Sequence, residues 1–337
     1  VAVWQEVVPK NETEGVLYVS LSVYSSDTWF TNERITPPIP YSMNVPSLTS
    51  CTIGDDGSIL IASLNEKTKL VIYKSKDNGR SFESNEITLD ANDYSSPYIT
   101  TTSKGNYLLF ISKGFDEKFS LLTSFSNDGV EWGELTPFIS SSISDRAFLP
   151  SHAVSLARKN IDLIVFQALV TINERRSYQL FSTYSNDGCK TFSFPQQITI
   201  DGDFQNERPD IKPLYGHNEF ILVWERNRNR STDVGVCSIF LDNNGIATSP
   251  VEEVFNSRGK SINPKILVIN NDPIVCWTHE NEGRSAVYVY DYETKEALRV
   301  RSVAGSMLFV RPYNIAGNLE LLWQEGQDVK HIMHVKP

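Results

Sequence analysis

SNDGVEW, at Ser126–Trp132, is one of three copies of a short pattern that predicts the fold of this chain. SKDNGRSF at Ser75–Phe82 and SNDGCKTF at Ser185–Phe192 repeat the same order of Ser, Asp, Gly and then an aromatic residue. An Asp side chain accepts hydrogen bonds from turn amides and Gly takes a positive φ, so each copy predicts a hairpin turn after an apolar strand. Three copies indicate a repeat architecture.

A proline near the start of an apolar strand recurs every 48 to 59 residues. A tight turn, a second strand, a third strand, a turn and a weaker fourth strand follow most of these prolines. Four antiparallel strands in a unit of about 50 residues are typical of a β-propeller blade. We expect proline at the first residue of each strand, where its missing N–H lies outside the ladder. The prolines are Pro46, Pro97, Pro150, Pro209, Pro264 and Pro312.

The periodicity therefore predicts an all-β chain that forms a single β-propeller domain over residues 1–337. Six four-stranded blades are favoured, with seven as the alternative, and they begin near residues 43, 94, 147, 206, 261 and 308. Residues 1–42 supply strands that close the ring. The turn pattern is weaker in the later units, and DYETKE at Asp291–Glu296 lacks it.

Composition narrows the range of partners. The net charge of −10 disfavours binding to a phosphate backbone, so no nucleic-acid partner is expected. No apolar run reaches the ~20 residues of a transmembrane helix, and a membrane span is not predicted. The four cysteines lack the spacing of a disulfide framework or a zinc site, and Cys237 and Cys276 are expected in the core. No metal and no cofactor is predicted.

The repeated turn of Ser, Asp, Gly and an aromatic residue, clearest in three units, resembles the Asp-box (bacterial neuraminidase) repeat of the sialidase-like propeller superfamily. That resemblance implies a propeller that acts on or recognises glycans. It also implies a substrate carboxylate bound by three arginines, the first in an Arg-Ile-Pro motif, and a Tyr nucleophile paired with Glu. The matching motif here is Asn44-Val45-Pro46, without the arginine. The resemblance and the start of the chain at Val1 lead us to expect a secreted, periplasmic or cell-surface protein.

The densest cluster of candidate residues pairs ERPD at Glu207–Asp210 with WERNRNR at Trp224–Arg230. An arginine fork beside carboxylates suits recognition of a carboxylate or a polyol, and two carboxylates on adjacent strands suit glycoside hydrolysis. A salt-bridge cluster that steadies the loops is the competing interpretation. Candidate catalytic residues are Glu225, Glu207, Asp210 and Tyr313. Candidate substrate-binding residues are Arg208, Arg311, Arg146, Trp224 and Asn44.

Two functions follow from these residues. The first is a glycoside hydrolase of the exo-sialidase type. The alternative is a non-catalytic propeller that binds a carbohydrate or a protein, which the missing arginine favours. In both cases a glycan or glycoconjugate is the expected partner, with a protein partner as a further candidate.

Overall fold

The structure is a computed structural model, and it is all-β. Within the part of the chain that it describes there is no helix, and hence no helix long and apolar enough to cross a bilayer. The described residues are 2–9, 14–22, 24–25, 28–29, 33–35, 39–42, 49–65, 69–90, 94–115, 118–139, 146–155, 161–215, 219–228, 231–242, 245–254, 258–315, 317–326 and 328–335.

The chain divides into two compact units. The first comprises residues 1–149 with 187–190, and the second comprises residues 150–186 with 191–337. Each unit is built from largely antiparallel sheets in which most strands pair with a neighbour in sequence.

The first unit contains an N-terminal sheet, a two-stranded ribbon and two four-stranded sheets. In the N-terminal sheet, β2 pairs with β1, β5 and β6, and the ribbon is β3 with β4. The four-stranded sheets have the orders β10-β9-β8-β7 and β11-β12-β13-β14. Ring closure by residues 1–42 stays a prediction. The strands are β1 Ala2–Pro9, β2 Glu14–Ser22, β3 Tyr24–Ser25, β4 Thr28–Trp29, β5 Glu33–Arg34, β6 Ile39–Ser42, β7 Thr49–Ile53, β8 Ile59–Asn65, β9 Lys69–Ser75, β10 Glu83–Thr88, β11 Tyr94–Thr101, β12 Tyr107–Phe115, β13 Lys118–Ser126 and β14 Thr136–Pro137.

The second unit continues the pattern, and the boundary between the units falls within β15. The sheets are β15-β16-β17-β18, then β19-β20-β21 with β22 and β23 on β21, then β24-β25-β26-β27, and finally β28-β29-β30. One parallel bridge, Thr232 with Lys260, joins β21 to β24. The strands are β15 Ala147–Val154, β16 Asp162–Ile172, β17 Arg175–Ser185, β18 Gln196–Gln197, β19 Gln205–Pro213, β20 Glu219–Arg228, β21 Ser231–Asp242, β22 Gly245–Thr248, β23 Glu252–Glu253, β24 Lys260–Ile269, β25 Asp272–Asn281, β26 Arg284–Asp291, β27 Glu296–Ala304, β28 Met307–Ile315, β29 Asn318–Glu325 and β30 Asp328–Val335.

The second strands β8, β12, β16, β20 and β25 are buried on both faces over most of their described length. In β20, for example, Phe220 to Glu225 are all buried, which explains a continuous apolar run in place of alternation. One core lies between the β15–β18 and β19–β23 sheets, a second between the β19–β23 and β24–β27 sheets, and a third between the β24–β27 and β28–β30 sheets. Cys237 and Cys276 lie in these cores, as predicted.

The predicted turns use Asp as a local acceptor. Asp77 Oδ1 accepts hydrogen bonds from Ser81 N (2.9 Å) and Ser75 Oγ (2.8 Å), and Asp77 Oδ2 accepts one from Ser81 Oγ (2.6 Å). The Ser81 hydroxyl, the Ser81 N–H and the Ser75 hydroxyl lower the pKa of Asp77 to about 2. Asp128 likewise accepts hydrogen bonds from the N–H groups of Val130 and Glu131. These interactions stay within the turn.

The turn at Asp291–Glu296 keeps this chemistry without the motif. Asp291 Oδ1 accepts hydrogen bonds from Glu293 N (2.9 Å) and Thr294 N (3.0 Å). Lys295, with φ of 60°, takes the left-handed conformation that Gly supplies in the other turns. A local Asp acceptor therefore forms the turn here although the sequence pattern is absent.

The recurring prolines of the described residues do not open their strands, and Pro46 lies outside those residues. Pro97 is the fourth residue of β11, and Pro209 and Pro264 are the fifth residues of β19 and β24. Each lies at a shift in the strand register, that is, in a β-bulge. The prediction that proline begins each strand is wrong. A bulge tolerates proline because the bulged residues leave the ladder of hydrogen bonds.

Candidate functional site

The predicted ERPD cluster forms a bulge in β19. Glu207 lies directly opposite Glu225 of β20 before the bulge, and Asp210 lies opposite Val223 after it. Arg208, inside the bulge, has φ of 54°. A non-glycine residue in this left-handed conformation costs about 1–3 kcal/mol and persists only where its surroundings hold it. The site therefore depends on what holds Arg208.

Glu225 holds the side chain of Arg208. Its carboxylate oxygen Oε1 accepts a hydrogen bond from Arg208 Nη1 at 2.9 Å and another from the backbone N of Asn263 at 2.7 Å. Asn263 is itself left-handed, with φ of 53°, and precedes the proline of the bulge in β24. Glu225 is only 3% exposed, whereas the side chain of Arg208 is 50% exposed. A buried carboxylate thus anchors an accessible guanidinium.

Gln167 holds the backbone of Arg208 in the same way. Its Oε1 accepts a hydrogen bond from Arg208 N at 2.8 Å. We call this interaction a clasp: a side chain on the second strand of one sheet accepts the N–H of the left-handed residue in the bulge of the next sheet. Gln167–Arg208 and Glu225–Asn263 are both clasps in this sense. Polar partners for these N–H groups offset the loss of ladder hydrogen bonds at the bulge.

Thr278 of β25 has the position that Glu225 has in β20. Thr278 pairs with Ile262 immediately before the bulge of β24, just as Glu225 pairs with Glu207. Thr278 Oγ1 is buried and has no hydrogen-bond partner among the described residues. No clasp from Thr278 is therefore present in the described part of the chain.

Glu207 lies in an environment that favours its protonated form. Burial, and then the nearby Glu225 carboxylate, raise the pKa of Glu207, although Arg208, Asn227 and Gln167 act in the opposite direction. Asn227 Nδ2 donates a hydrogen bond to Glu207 Oε2 at 2.9 Å. Glu207 and Glu225 thus form a pair of neighbouring carboxyl groups in different environments: Glu207 is half-buried and Glu225 is buried.

Asp210 is engaged with the next sheet. Its Oδ2 accepts a hydrogen bond from Ile266 N at 2.9 Å, and its Oδ1 lies 3.6 Å from Lys265 Nζ. Burial alone would raise the pKa of Asp210, but Lys265, Lys212, the Ile266 N–H and Arg311 together keep it below its ordinary value. This geometry describes an ionised carboxylate in an ion pair.

Trp224 cannot stack on a sugar. It is fully buried, at 0% exposure, and its Nε1 donates a hydrogen bond to Asn206 Oδ1 at 2.8 Å. A Cβ atom on Gly235 would lie 2.6 Å from Trp224 Cε2, so the indole fills the space that this glycine leaves. The prediction of Trp224 as a substrate-binding residue is wrong, because Trp224 points to the opposite face of β20 from Glu225.

The remaining predicted residues lie on other strands or outside the described residues. Arg311 and Tyr313 lie on β28, where Arg311 Nη1 donates to Val310 O at 3.0 Å. Arg146 belongs to the first unit, with its guanidinium 6.0 Å from the ring centroid of Phe148. Asn44 lies outside the described residues. Roles for these four residues in substrate binding or catalysis stay predictions.

Three contributors were missed as site residues: Gln167, Asn227 and Lys265. Gln167 lies inside an apolar run, and a polar residue at a buried position is a signal that could have marked it. Asn263 precedes Pro264 as Arg208 precedes Pro209, so the repeat itself marked the second clasp. Asn227 carries no local signal, because its role depends on the strand register.

The comparisons with known proteins concern the fold. No protein-family model and no curated protein matches this sequence. The BP39L lectin from Burkholderia pseudomallei has a TM-score of 0.59 at 10% identity, with 96% of each chain covered. The GH93 α-L-arabinofuranosidase of Fusarium graminearum, solved with arabinobiose, has a TM-score of 0.54 at 14% identity, with 82% of this chain and 87% of that chain covered.

A protein of unknown function from Dyadobacter fermentans has a TM-score of 0.58 at 11% identity, with 82% of this chain and 89% of that chain covered. At these identities the likenesses show the fold alone. The lectin and the arabinofuranosidase are β-propellers, and the predicted β-propeller fold is confirmed. The number of blades stays a prediction.

Proposed function

We propose that this protein is a glycan-binding β-propeller that recognises sugar hydroxyl groups through Arg208, Glu207 and Asn227. The observation that carries the proposal is the half-exposed guanidinium of Arg208, held by the buried Glu225. The backbone of Arg208 is held as well, by Gln167. Donors that are fixed before the ligand arrives lose little conformational entropy on binding, which favours recognition of a polyol.

Binding is favoured over catalysis because of the burial of Glu225. Glycoside hydrolysis by two carboxyl groups requires that both flank the scissile bond. Glu225 is buried, and one of its oxygens already accepts two hydrogen bonds, so it is poorly placed to touch a substrate. We assign Glu225 as a positioning residue that acts through Arg208.

The solved neighbours supply the ligand class to test first. One is a lectin, and another is an arabinofuranosidase solved with a disaccharide. Because glycans are displayed mostly outside the cytoplasm, the proposal includes a secreted, periplasmic or cell-surface location. Fractionation of cells that express the protein tests the location separately from binding.

A glycan array followed by calorimetry on the hits tests the binding function. We expect Arg208→Ala to bind the best ligand about tenfold more weakly or worse, because a charge-assisted hydrogen bond is lost. Arg228→Ala is the matched control, since Arg228 is an exposed arginine at the end of the same β20 strand that carries Glu225. Equal affinity of Arg208→Ala and wild type for every ligand would contradict the proposal.

A glycoside hydrolase is the second candidate function, and the raised pKa of Glu207 is the observation that favours it. A carboxyl group that stays protonated can donate a proton to a leaving group. A panel of fluorogenic glycosides, including a sialoside, tests this function. Turnover that falls at least about 100-fold in Glu207→Gln would establish Glu207 as the acid. Absence of turnover across the panel would leave the binding function.

The environment of Glu207 also predicts a pH dependence of stability. Because the pKa of Glu207 is raised in the folded state, folding loses stability as the pH rises from the ordinary pKa through the raised value. We expect Glu207→Gln to lose less stability than wild type over that range. Melting temperatures of both proteins between pH 4 and pH 8, roughly the range in which such a carboxyl titrates, measure the difference; parallel curves would contradict it.

A further inference from the structure

A row of charged residues follows the bulges of the second unit. Asp210, Lys265 and Arg311 occupy the same register position on β19, β24 and β28, because each is the first paired residue after its bulge. Lys212 lies two residues beyond Asp210 on the same face of β19. The repeat thus brings one carboxylate and three cations to three successive first strands.

The charges in this row do not balance. Asp210 forms its ion pair with Lys265, whose side chain is 24% exposed. Among the described residues, neither Lys212 nor Arg311 has a carboxylate within ion-pair distance. Burial lowers the pKa of Lys265, and Asp210 opposes that effect, while Arg311 and Lys212 add to it. The positive charges of Arg311 and Lys212 therefore act directly on the Lys265 ammonium group.

Desolvated like charges are unfavourable unless a counter-ion joins them. An oxyanion suits this arrangement, because lysine ammonium groups attract it as point charges and the arginine fork can bind two of its oxygens. The row also includes an acid, Asp210, which is occupied by Lys265 and by the N–H of Ile266. With one carboxylate against three cations, the row keeps a net positive charge that attracts an anionic ligand.

We propose that Lys212, Lys265 and Arg311 form a binding site for a small oxyanion, a phosphate or sulfate group. We call these three residues the cationic row. The group is either a free ion or an ester on a larger molecule. The site is separate in its chemistry from the proposed recognition of neutral hydroxyl groups at Arg208.

Calorimetry at low ionic strength, in a buffer free of phosphate and sulfate, tests the site. The probes are inorganic phosphate, sulfate and glucose 6-phosphate, with glucose as the neutral reference. We expect saturable binding of at least one anionic probe, about tenfold weaker or worse in Lys265→Met. Lys260→Met is the matched control, because Lys260 is an exposed lysine on the same strand, and it should bind as wild type does.

The probes distinguish the two sources of the group. Binding of inorganic phosphate or sulfate indicates a free ion, and binding of glucose 6-phosphate alone indicates an ester. No binding of any anionic probe overturns the proposal, as does binding that is equal in wild type and Lys265→Met.

Lys265→Met removes an ion-pair partner of Asp210 and could therefore fail to fold. A second variant keeps the proposal testable in that case. Lys212→Gln breaks no ion pair of the described residues and should also weaken binding. If Lys265→Met is unfolded by circular dichroism, equal binding by Lys212→Gln and wild type overturns the proposal. Glycan binding by Arg208→Ala is measured separately, so failure of the anion site is distinguishable from failure of the glycan site.

Discussion

The turns and the bulges satisfy their backbone N–H groups in opposite ways. In the turn at Asp77, and again at Asp291, the acceptor lies two to four residues from its donors. In the bulge at Arg208 the acceptor is Gln167, 41 residues away, and at Asn263 it is Glu225, 38 residues away. The turns supply their own acceptors, whereas the bulges at Arg208 and Asn263 take theirs from a neighbouring sheet.

The turns therefore determine the geometry of single hairpins. The bulges determine which side chains are presented at the surface between two packed sheets. A local acceptor fixes a turn without reference to any other sheet. A distant acceptor fixes the bulge only when two sheets are packed, and it leaves a long side chain such as Arg208 fixed at its base and open at its tip. Substitutions at the acceptors test this distinction.

Glu225→Ala should have the largest effect on stability. It leaves the Arg208 guanidinium and the Asn263 N–H without their acceptor, and we expect a loss of about 2–3 kcal/mol in the free energy of unfolding. Urea denaturation measures the loss, with Glu219→Ala on the same strand as the control. A loss equal to that of the control would show that the clasp contributes nothing.

Gln167→Ala should have the next largest effect. It removes the acceptor of one backbone N–H, and we expect a loss of about 1–2 kcal/mol by the same measurement. Because Arg208 then lacks its backbone anchor, its glycan affinity should fall as well. If Gln167→Ala lost stability but bound the glycan as tightly as wild type, the prediction that Gln167 positions Arg208 for binding would be contradicted.

Asp77→Ala should have a smaller and pH-dependent effect. The pKa of Asp77 is lowered to about 2, so its stabilisation is present above the ordinary value and is lost as the pH falls toward 2. The difference in melting temperature between wild type and Asp77→Ala should therefore shrink below about pH 4. Glu83→Ala, an exposed acid in the same unit, is the control. A difference that stays constant down to pH 2 would refute the role of the ionised Asp77 carboxylate.

Thr278→Val should have the smallest effect. Its hydroxyl is buried and unpartnered among the described residues, and valine has nearly the same shape. Removing an unsatisfied polar group is neutral or slightly stabilising. Destabilisation by more than about 1 kcal/mol in urea would show that Thr278 does serve as an acceptor.

The sequence was sufficient for the fold because its signals are local. The SNDG turns and the apolar runs each depend on a few neighbouring residues, and their repetition made an all-β propeller the natural prediction. The position of the prolines was predicted wrongly because a bulge depends on pairing between strands, which a single strand does not reveal.

The site was predictable only in part. The cluster of Glu207, Arg208 and Glu225 stands out in the sequence as paired charges on adjacent strands. Trp224 was misassigned because successive residues of a strand point to opposite faces, so its position directly before Glu225 directs the indole into the core. Gln167 was missed as a site residue because its partner lies in another sheet.

Because of the clasps, hydrogen exchange at the Arg208 and Asn263 amides reports how often neighbouring sheets separate. An N–H in a bulge ordinarily exchanges quickly with solvent, because it has no partner in the ladder. The Arg208 and Asn263 amides should instead exchange slowly, at the rate at which neighbouring sheets separate. In Glu225→Ala the Asn263 amide alone should become fast, so hydrogen exchange can follow the opening of one junction between sheets while the others stay closed.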